Sequence, residues 1–189
     1  METKMARDIV VKKTLMLSLT CGVMLLAGCL NTDPDSLTLE RDILNAAGEV
    51  LGTVTLTDMG KAGTKVHLNM TNVTDGDGVH ALHFHEFGKC DAPDFKSAGG
   101  HYNPTNVSHG IKTKEGPHAG DMMNIDIKAT KGTLTLVNDR VSIEGQHDLP
   151  ALFDEDGTAL IIHEKADDYT SQPTGAAGGR LGCALIAPG

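Results

Sequence analysis

The chain has 189 residues, a formal net charge of −9, 22 glycines, four cysteines, no tryptophan and 3% aromatic residues. That length suits one domain with short extras, and the glycine count favours many turns. The acidic balance excludes nucleic-acid binding through the general surface, and an anionic substrate would need a local positive patch.

The N-terminus reads as an address rather than as fold. Lys12 and Lys13 precede TLMLSLTCGVMLLAG, an apolar run of signal-peptide length that is short for a membrane span. It ends Leu26-Ala27-Gly28-Cys29, which resembles the bacterial lipobox, where the cysteine is lipidated and becomes the first mature residue. Plain secretion with cleavage near a small residue is the alternative, and Met5 competes with Met1 as the start. Both readings place the protein outside the cytoplasm, where disulfides persist, and the lipoprotein reading places it in the bacterial cell envelope, facing the periplasm or the surface. Residues 1–28 are then a lipoprotein signal peptide and 29–36 a tether, so only the lipid on Cys29 meets the membrane; residues 37–189 form the folded domain. The signal holds four basic and two acidic residues, so the remainder carries 12 basic and 23 acidic ones, a net of −11. Cys21 leaves with the signal and Cys29 takes the lipid. Cys90 and Cys183 remain as an even pair in an oxidising compartment.

After the tether the pattern is of strands. Alternation of apolar and polar residues predicts strands at 36–44, 49–57, 64–70, 79–86, 123–128, 133–137, 140–143, 159–163 and 182–186. Turn signals such as Asp75-Gly76-Asp77-Gly78, Asn138-Asp139 and Asp156-Gly157 separate many of them, and no stretch keeps a helical period. The expected class is all-β, a sandwich or barrel. Two long segments, 87–120 and 164–180, break the pattern, and structureless loops of that length are uncommon unless functional.

One predicted strand contains His83 and His85 in the run HFHEFG. Residues i and i+2 share a strand face, so the two imidazoles stand together while Leu82 and Phe84 point to the core. His101, His109 and His118 follow within the first loop, with Asp121 just after the last of them, and His163 precedes the second loop. Imidazole suits zinc, copper, iron and nickel, and a carboxylate in the set shifts that site toward zinc.

With these residues in view the chain resembles the copper/zinc superoxide dismutases. HFHEFG (83–88), GGHYNP (99–104), SHG (108–110), GPHAGDM (116–122), HEKADD (163–168) and GGRLGC (178–183) occur in that family's order and near its spacing. The resemblance implies a Greek-key β-sandwich or flattened barrel of about eight antiparallel strands. It implies copper on His83, His85, His101 and His163, and zinc on His101, His109, His118 and Asp121, one of each metal per chain. His101 would bridge the two as an imidazolate. Superoxide would be disproportionated to oxygen and hydrogen peroxide by Cu(II)/Cu(I) cycling, protecting the envelope from superoxide outside the cytoplasm. Arg180 would attract and place the anion, and Asp167, or Asp168 if the register slips by one, would hydrogen-bond one histidine of each metal. Cys90 and Cys183 would form the family's disulfide. His80 has the parity of Leu82 and is expected to be structural, while His67 and His147 are expected to be solvated.

The second loop is shorter than in eukaryotic members and lacks most of their charged residues. Lys165 remains, and Lys89 and Lys96 are the substitutes considered for steering. Whether the chain forms a homodimer is left open. The alternative from another class is a copper- and zinc-binding storage or delivery protein of the same fold with little turnover. A purely structural sandwich would need none of the seven metal-type residues.

Overall fold

The computed structural model describes residues 36–74, 76–187 and 189. The signal peptide, Cys29 and all but Ser36 of the tether lie outside the described residues. The described chain is nearly all β, with nine strands: β1 (Thr38–Leu44), β2 (Val50–Asp58), β3 (Thr64–Met70), β4 (Gly78–His80), β5 (Leu82–His85), β6 (Ile125–Ile127), β7 (Gly132–Asn138), β8 (Thr158–His163) and β9 (Arg180–Ala187). Seven of them form one curled antiparallel sheet in the order β5-β8-β9-β1-β2-β3-β7, and β4 pairs with β6. The last strand returns to lie beside the first, which is a Greek-key connection.

Period-two patterning sets the register. Leu39 faces Leu56, Leu56 faces Val66 and Val66 faces Leu136, one apolar row across four strands. The outward residues of the same strands are polar, chiefly threonines, so a one-residue slip would put the whole row in water. β5 and β8 differ because they are buried on both faces. Leu82 and Phe84 pair with Ile162 and Leu160 on the core side. On the other side His83 and His85 pair with Ile161 and Ala159. A second apolar cluster of Phe95, Ala98, Ala159, Ile161 and Cys183 covers part of that outer face. Burial on both sides explains why β8 reads as a continuous apolar run rather than an alternating one.

Two sequence expectations need correction. The run 79–86 is broken at Ala81 into β4 and β5, which join different sheets. Residues 140–143 do not form a strand; Ser142 makes only an isolated bridge to Ala151. There the chain bonds the segment 150–153 instead: Ser142 N–H donates to Pro150 O at 2.9 Å and Phe153 N–H to Ile143 O at 2.9 Å.

The edge of β5 is closed by the first long loop. Phe84 N–H donates to Gly120 O at 3.0 Å, Tyr102 N–H to Phe84 O at 2.8 Å and Glu86 N–H to Gly100 O at 3.0 Å. These contacts set His83 opposite Asp121 and His85 opposite His101. Cys90 and Cys183 form a disulfide with Cα atoms 5.8 Å apart, tying that loop to β9 across 93 residues. Closing a loop of that size in the unfolded chain is worth on the order of 4–5 kcal/mol.

Candidate metal centre

The two loops and the outer face of β5 and β8 enclose a cluster of buried imidazoles. One donor group is His83, His85, His101 and His163; a second is His83, His101, His109 and Asp121, in each case with ligand atoms within 4.8 Å of one another. His101 belongs to both. His118 lies beside the second group, its ring 5.4 Å from His109 and 5.5 Å from His101, with Nδ1 3.3 Å from Asp121 Oδ1. The second group differs from the expected zinc set only in holding His83 in place of His118. The structure therefore brings together all seven of the metal-type residues singled out from the sequence.

Several of the rings are oriented by hydrogen bonds. His83 Nε2 lies 2.8 Å from Asp167 Oδ2, and His85 Nδ1 donates to Gly99 O at 3.0 Å. His101 Nδ1 is 3.0 Å from Asp121 Oδ1. His85 Nε2 and His163 Nε2 face one another at 3.3 Å. His83 Nδ1, His101 Nε2, His118 Nδ1 and His163 Nδ1 are buried and have no hydrogen-bond partner among the described residues. Buried polar nitrogens without partners are costly. Lone pairs converging from four imidazoles, with a carboxylate on one side, are what copper and zinc require.

Electrostatics divide the centre. Burial lowers the pKa of His83, and of His85 well below the ordinary imidazole value, with His101, Arg180 and His163 adding repulsion at His85. Burial, with neighbouring His83, likewise lowers His101 to about 4 and, with His83 and His101, lowers His163 to about 3. These four rings are neutral at pH 7 and ready to bind metal. His109 is the exception. Burial opposes its charge, but the Asp167 hydrogen bond and the Asp121 carboxylate outweigh burial and raise its pKa. Its two ring nitrogens both face oxygens, Ser171 O at 3.0 Å and Asp167 Oδ2 at 3.0 Å. For the buried Asp121, desolvation is outweighed by hydrogen bonds from the His101 ring and from the backbone N–H groups of His118 and Gly110, with the His118 ring close by, so its carboxylate is held far below the usual range.

Asp167, not Asp168, reaches both rings. Its Oδ2 meets His83 and His109, while Tyr169 N–H donates to Oδ1 at 2.6 Å. Asp168 is exposed and its carboxylate is occupied by Thr170 and Ser171. Gly175, with φ +67°, packs so closely on Asp167 that a Cβ there would overlap the carboxylate. Arg180 is half-buried, and its Nη1 and Nη2 donate to the carbonyls of Phe95 and Gly99. Among the described residues its other guanidinium N–H groups make no hydrogen bond. His80 is structural as expected, its ring nitrogens 2.9 Å from His163 O and 2.7 Å from Gly76 O. His67 lies on the sheet surface against Thr135 Oγ1, and His147 is exposed. Among the steering candidates Lys96 is paired with Asp94 at 2.6 Å and Lys89 lies 6.0 Å from the Phe87 ring. Lys165 is exposed beside Gly178, just before Arg180, and makes no ion pair among the described residues.

Sequence reasoning missed several residues that hold this site. Gln172 grips the backbone of His109 from both sides, accepting from its N–H at 2.9 Å and donating to its carbonyl at 2.8 Å. Asn124 does the same for Asp167, with both bonds at 3.0 Å. Phe95, a buried aromatic with φ +53°, aims its carbonyl at Arg180. Only its isolation as an aromatic within a polar loop could have signalled it.

Residues 50–186 match the family model for copper/zinc superoxide dismutase. The chain belongs to the copper/zinc superoxide dismutase family. It is an oxidoreductase, and copper and zinc are its cofactors. It is 43% identical over 148 residues to superoxide dismutase [Cu-Zn] 1 of Aquifex aeolicus, covering 77% of this chain and 85% of that protein. Among solved structures it is similar to a SOD-like protein from Bacillus subtilis, with 35% identity and a TM-score of 0.71 over 77% of this chain and 97% of that one. It is also similar to the Cu/Zn superoxide dismutase from Brucella abortus, with 26% identity and a TM-score of 0.62 over 79% and 99% of the two chains.

Proposed function

We propose that this enzyme disproportionates superoxide in the cell envelope, with His83, His85, His101 and His163 on copper and His101, His109, His118 and Asp121 on zinc. The observation that carries the assignment is His101. Its buried ring, like that of His83, belongs to both donor groups, but whereas His83 Nε2 is taken by Asp167, which is in neither group, His101 turns Nδ1 to the donor Asp121 and leaves Nε2 unpartnered among the described residues. When bound, copper supplies one-electron exchange with superoxide, and zinc, which has no redox chemistry, supplies fixed positive charge.

The chain's own residues do the rest. Two superoxide anions and two protons give oxygen and hydrogen peroxide, so the protein must attract anions and deliver protons. Arg180 does the first: two carbonyls fix its guanidinium, and its remaining N–H groups can orient an anion at the mouth of the copper-side group. His101 Nε2 is the atom where a proton can be held for the peroxide. Asp167 keeps His83 and His109 in one orientation through a single carboxylate oxygen. The short Leu26–Cys29 motif supports a lipid anchor on Cys29 and an extracytoplasmic site of action. The Cys90–Cys183 disulfide agrees with that compartment. All seven donors and Arg180 are present together, which favours turnover over storage or delivery of metal.

Elemental analysis of the purified chain, with superoxide decay followed by pulse radiolysis, tests this reading. One copper and one zinc per chain with fast decay is the expected result. Full metal loading with no acceleration of decay would replace the enzyme with a storage or delivery protein.

A further inference from the structure

The turn that presents His118 and Asp121 is held from behind by a charged side chain to which the metal-centre reading gives no part. Arg140 lies just beyond the end of β7. Its Nη2 donates to Asp121 O at 2.6 Å and its Nε to His118 O at 3.3 Å. Asn138, almost fully buried, donates from Nδ2 to Ala119 O at 2.8 Å and accepts from Arg140 N–H at 3.0 Å. Phe84 N–H takes Gly120 O. Every carbonyl of the turn 118–121 thus has a donor, and three of the four take one from Asn138 or Arg140, His118 O also accepting from Asp121 N–H at 3.2 Å. On the opposite side of the same turn, Asp121 Oδ2 accepts from His118 N–H at 3.0 Å and Gly110 N–H at 2.9 Å.

From this arrangement we infer that Arg140 is a positioning residue of the zinc site, clamping the 118–121 turn to the barrel so that His118 and Asp121 meet the metal in one geometry. The inference rests on the zinc assignment made above. A guanidinium suits the task because its planar fork can satisfy two carbonyls at once, which an ammonium cannot do with the same fixed geometry. The cost of a cation near a cation site is offset by Asp139, whose Oδ1 lies 2.9 Å from Arg140 Nη1. Outer groups that orient metal ligands change metal affinity by about 10–100-fold when removed.

The test uses the full mature chain, stripped of metal, as wild type, Arg140→Gln and Arg140→Lys. Zinc affinity is read by competition with a chromophoric chelator, and cobalt(II) absorption reports ligand geometry. Arg140→Gln should weaken zinc by about 10–100-fold and change the cobalt spectrum, with copper uptake at the other group unchanged. Arg140→Lys should recover only part of the loss. Unchanged zinc affinity in Arg140→Gln overturns the inference. So does full recovery in Arg140→Lys, because charge alone would then suffice, and so does a lower melting temperature with an unaltered cobalt spectrum. If Arg140→Gln does not fold, Arg140→Lys decides alone: zinc bound as tightly as in wild type overturns the clamp. Failure of the zinc assignment itself is distinguishable, since Asp121→Asn would then leave zinc binding unaffected.

Discussion

The copper-side and zinc-side residues sit a few ångströms apart but are held by different physics. His83, His85 and His163 belong to β5 and β8, whose ladder fixes their backbone residue by residue. His101, His109, His118 and Asp121 lie on the first long loop, which only isolated bridges at His101 and Asp121 tie to β5, and side chains do much of the rest: Gln172 for His109, Arg140 and Asn138 for the 118–121 turn. Burial leaves the strand histidines neutral, whereas carboxylates raise the pKa of His109. Protonation state follows local contacts rather than the kind of backbone: burial also lowers loop residue His101 to about 4, and only His109, facing two carboxylates, is raised.

The most severe way to break this division is to remove the residue common to both halves. His101→Ala should lower superoxide decay by roughly a hundredfold or more, each factor of ten being about 1.4 kcal/mol. Elemental analysis should show both metals bound more weakly. Retained activity in a fully loaded variant would mean that His101 is not shared.

Next in size is Asp167→Ala, which takes one oxygen from a ring in each half. Zinc affinity should fall by about 10–100-fold, and copper affinity by less, because β5 still aims His83. Equal losses at the two sites, measured by competition titration, would contradict the contrast between strand and loop.

Arg180→Ala should leave both metals bound and reduce kcat/KM by roughly tenfold, with Arg180→Lys losing less. The wild-type rate should decline as salt screens the approach of the anion, and the slope should flatten in the alanine variant. Pulse radiolysis across ionic strength measures both. An alanine variant with wild-type rate and slope would remove Arg180 from the mechanism.

The smallest expected effect is on protons. In the metal-free protein the pKa values of His101 and His163 are lowered to about 4 and about 3. The unfolded chain, with an imidazole pKa of about 6.5, takes up protons first as the pH drops. Their contribution to stability is intact above about 6.5 and falls as pH descends toward the folded values. His109, raised, has the opposite sign: its contribution is full below about 6.5 and lost as pH rises through its folded value. The melting temperature of the metal-free chain should therefore fall on acidification. Zinc uptake near neutrality should release a proton from His109 that copper uptake does not. A pH-indicator titration with each metal checks this; equal release for both would sink it.

How much of this was legible beforehand follows the same division. The i, i+2 spacing of His83 and His85 placed both on one strand face, alternation marked the cores of β2 and β3, and a continuous apolar run marked β8. Resemblance to a family supplied the loop ligands, because no local periodicity links His101 to His118 or Asp121. What remained hidden was support that depends on residues distant in sequence. Gln172 and His109, or Asn124 and Asp167, meet only once both loops are folded. The break at Ala81 escaped because β4 and β5 alternate in phase while joining different sheets. The predicted strand at 140–143 failed because Arg140 is engaged with the 118–121 turn, while Ser142 and Ile143 bond the distant segment 150–153 in an isolated bridge rather than a named strand.

The closing of the β5 edge has a consequence beyond the site. The loop segments that place His101 and Asp121 opposite His85 and His83 also satisfy the backbone of an edge strand. If those segments lift, the chain exposes the unpaired N–H and C=O groups of Leu82–His85, a short edge with Phe84 at its centre and no lysine or proline to guard it. Such an edge is a template for pairing with another molecule. Metal retention and resistance to self-association are thus coupled through the same few hydrogen bonds, and a chain that loses its metals also risks its solubility.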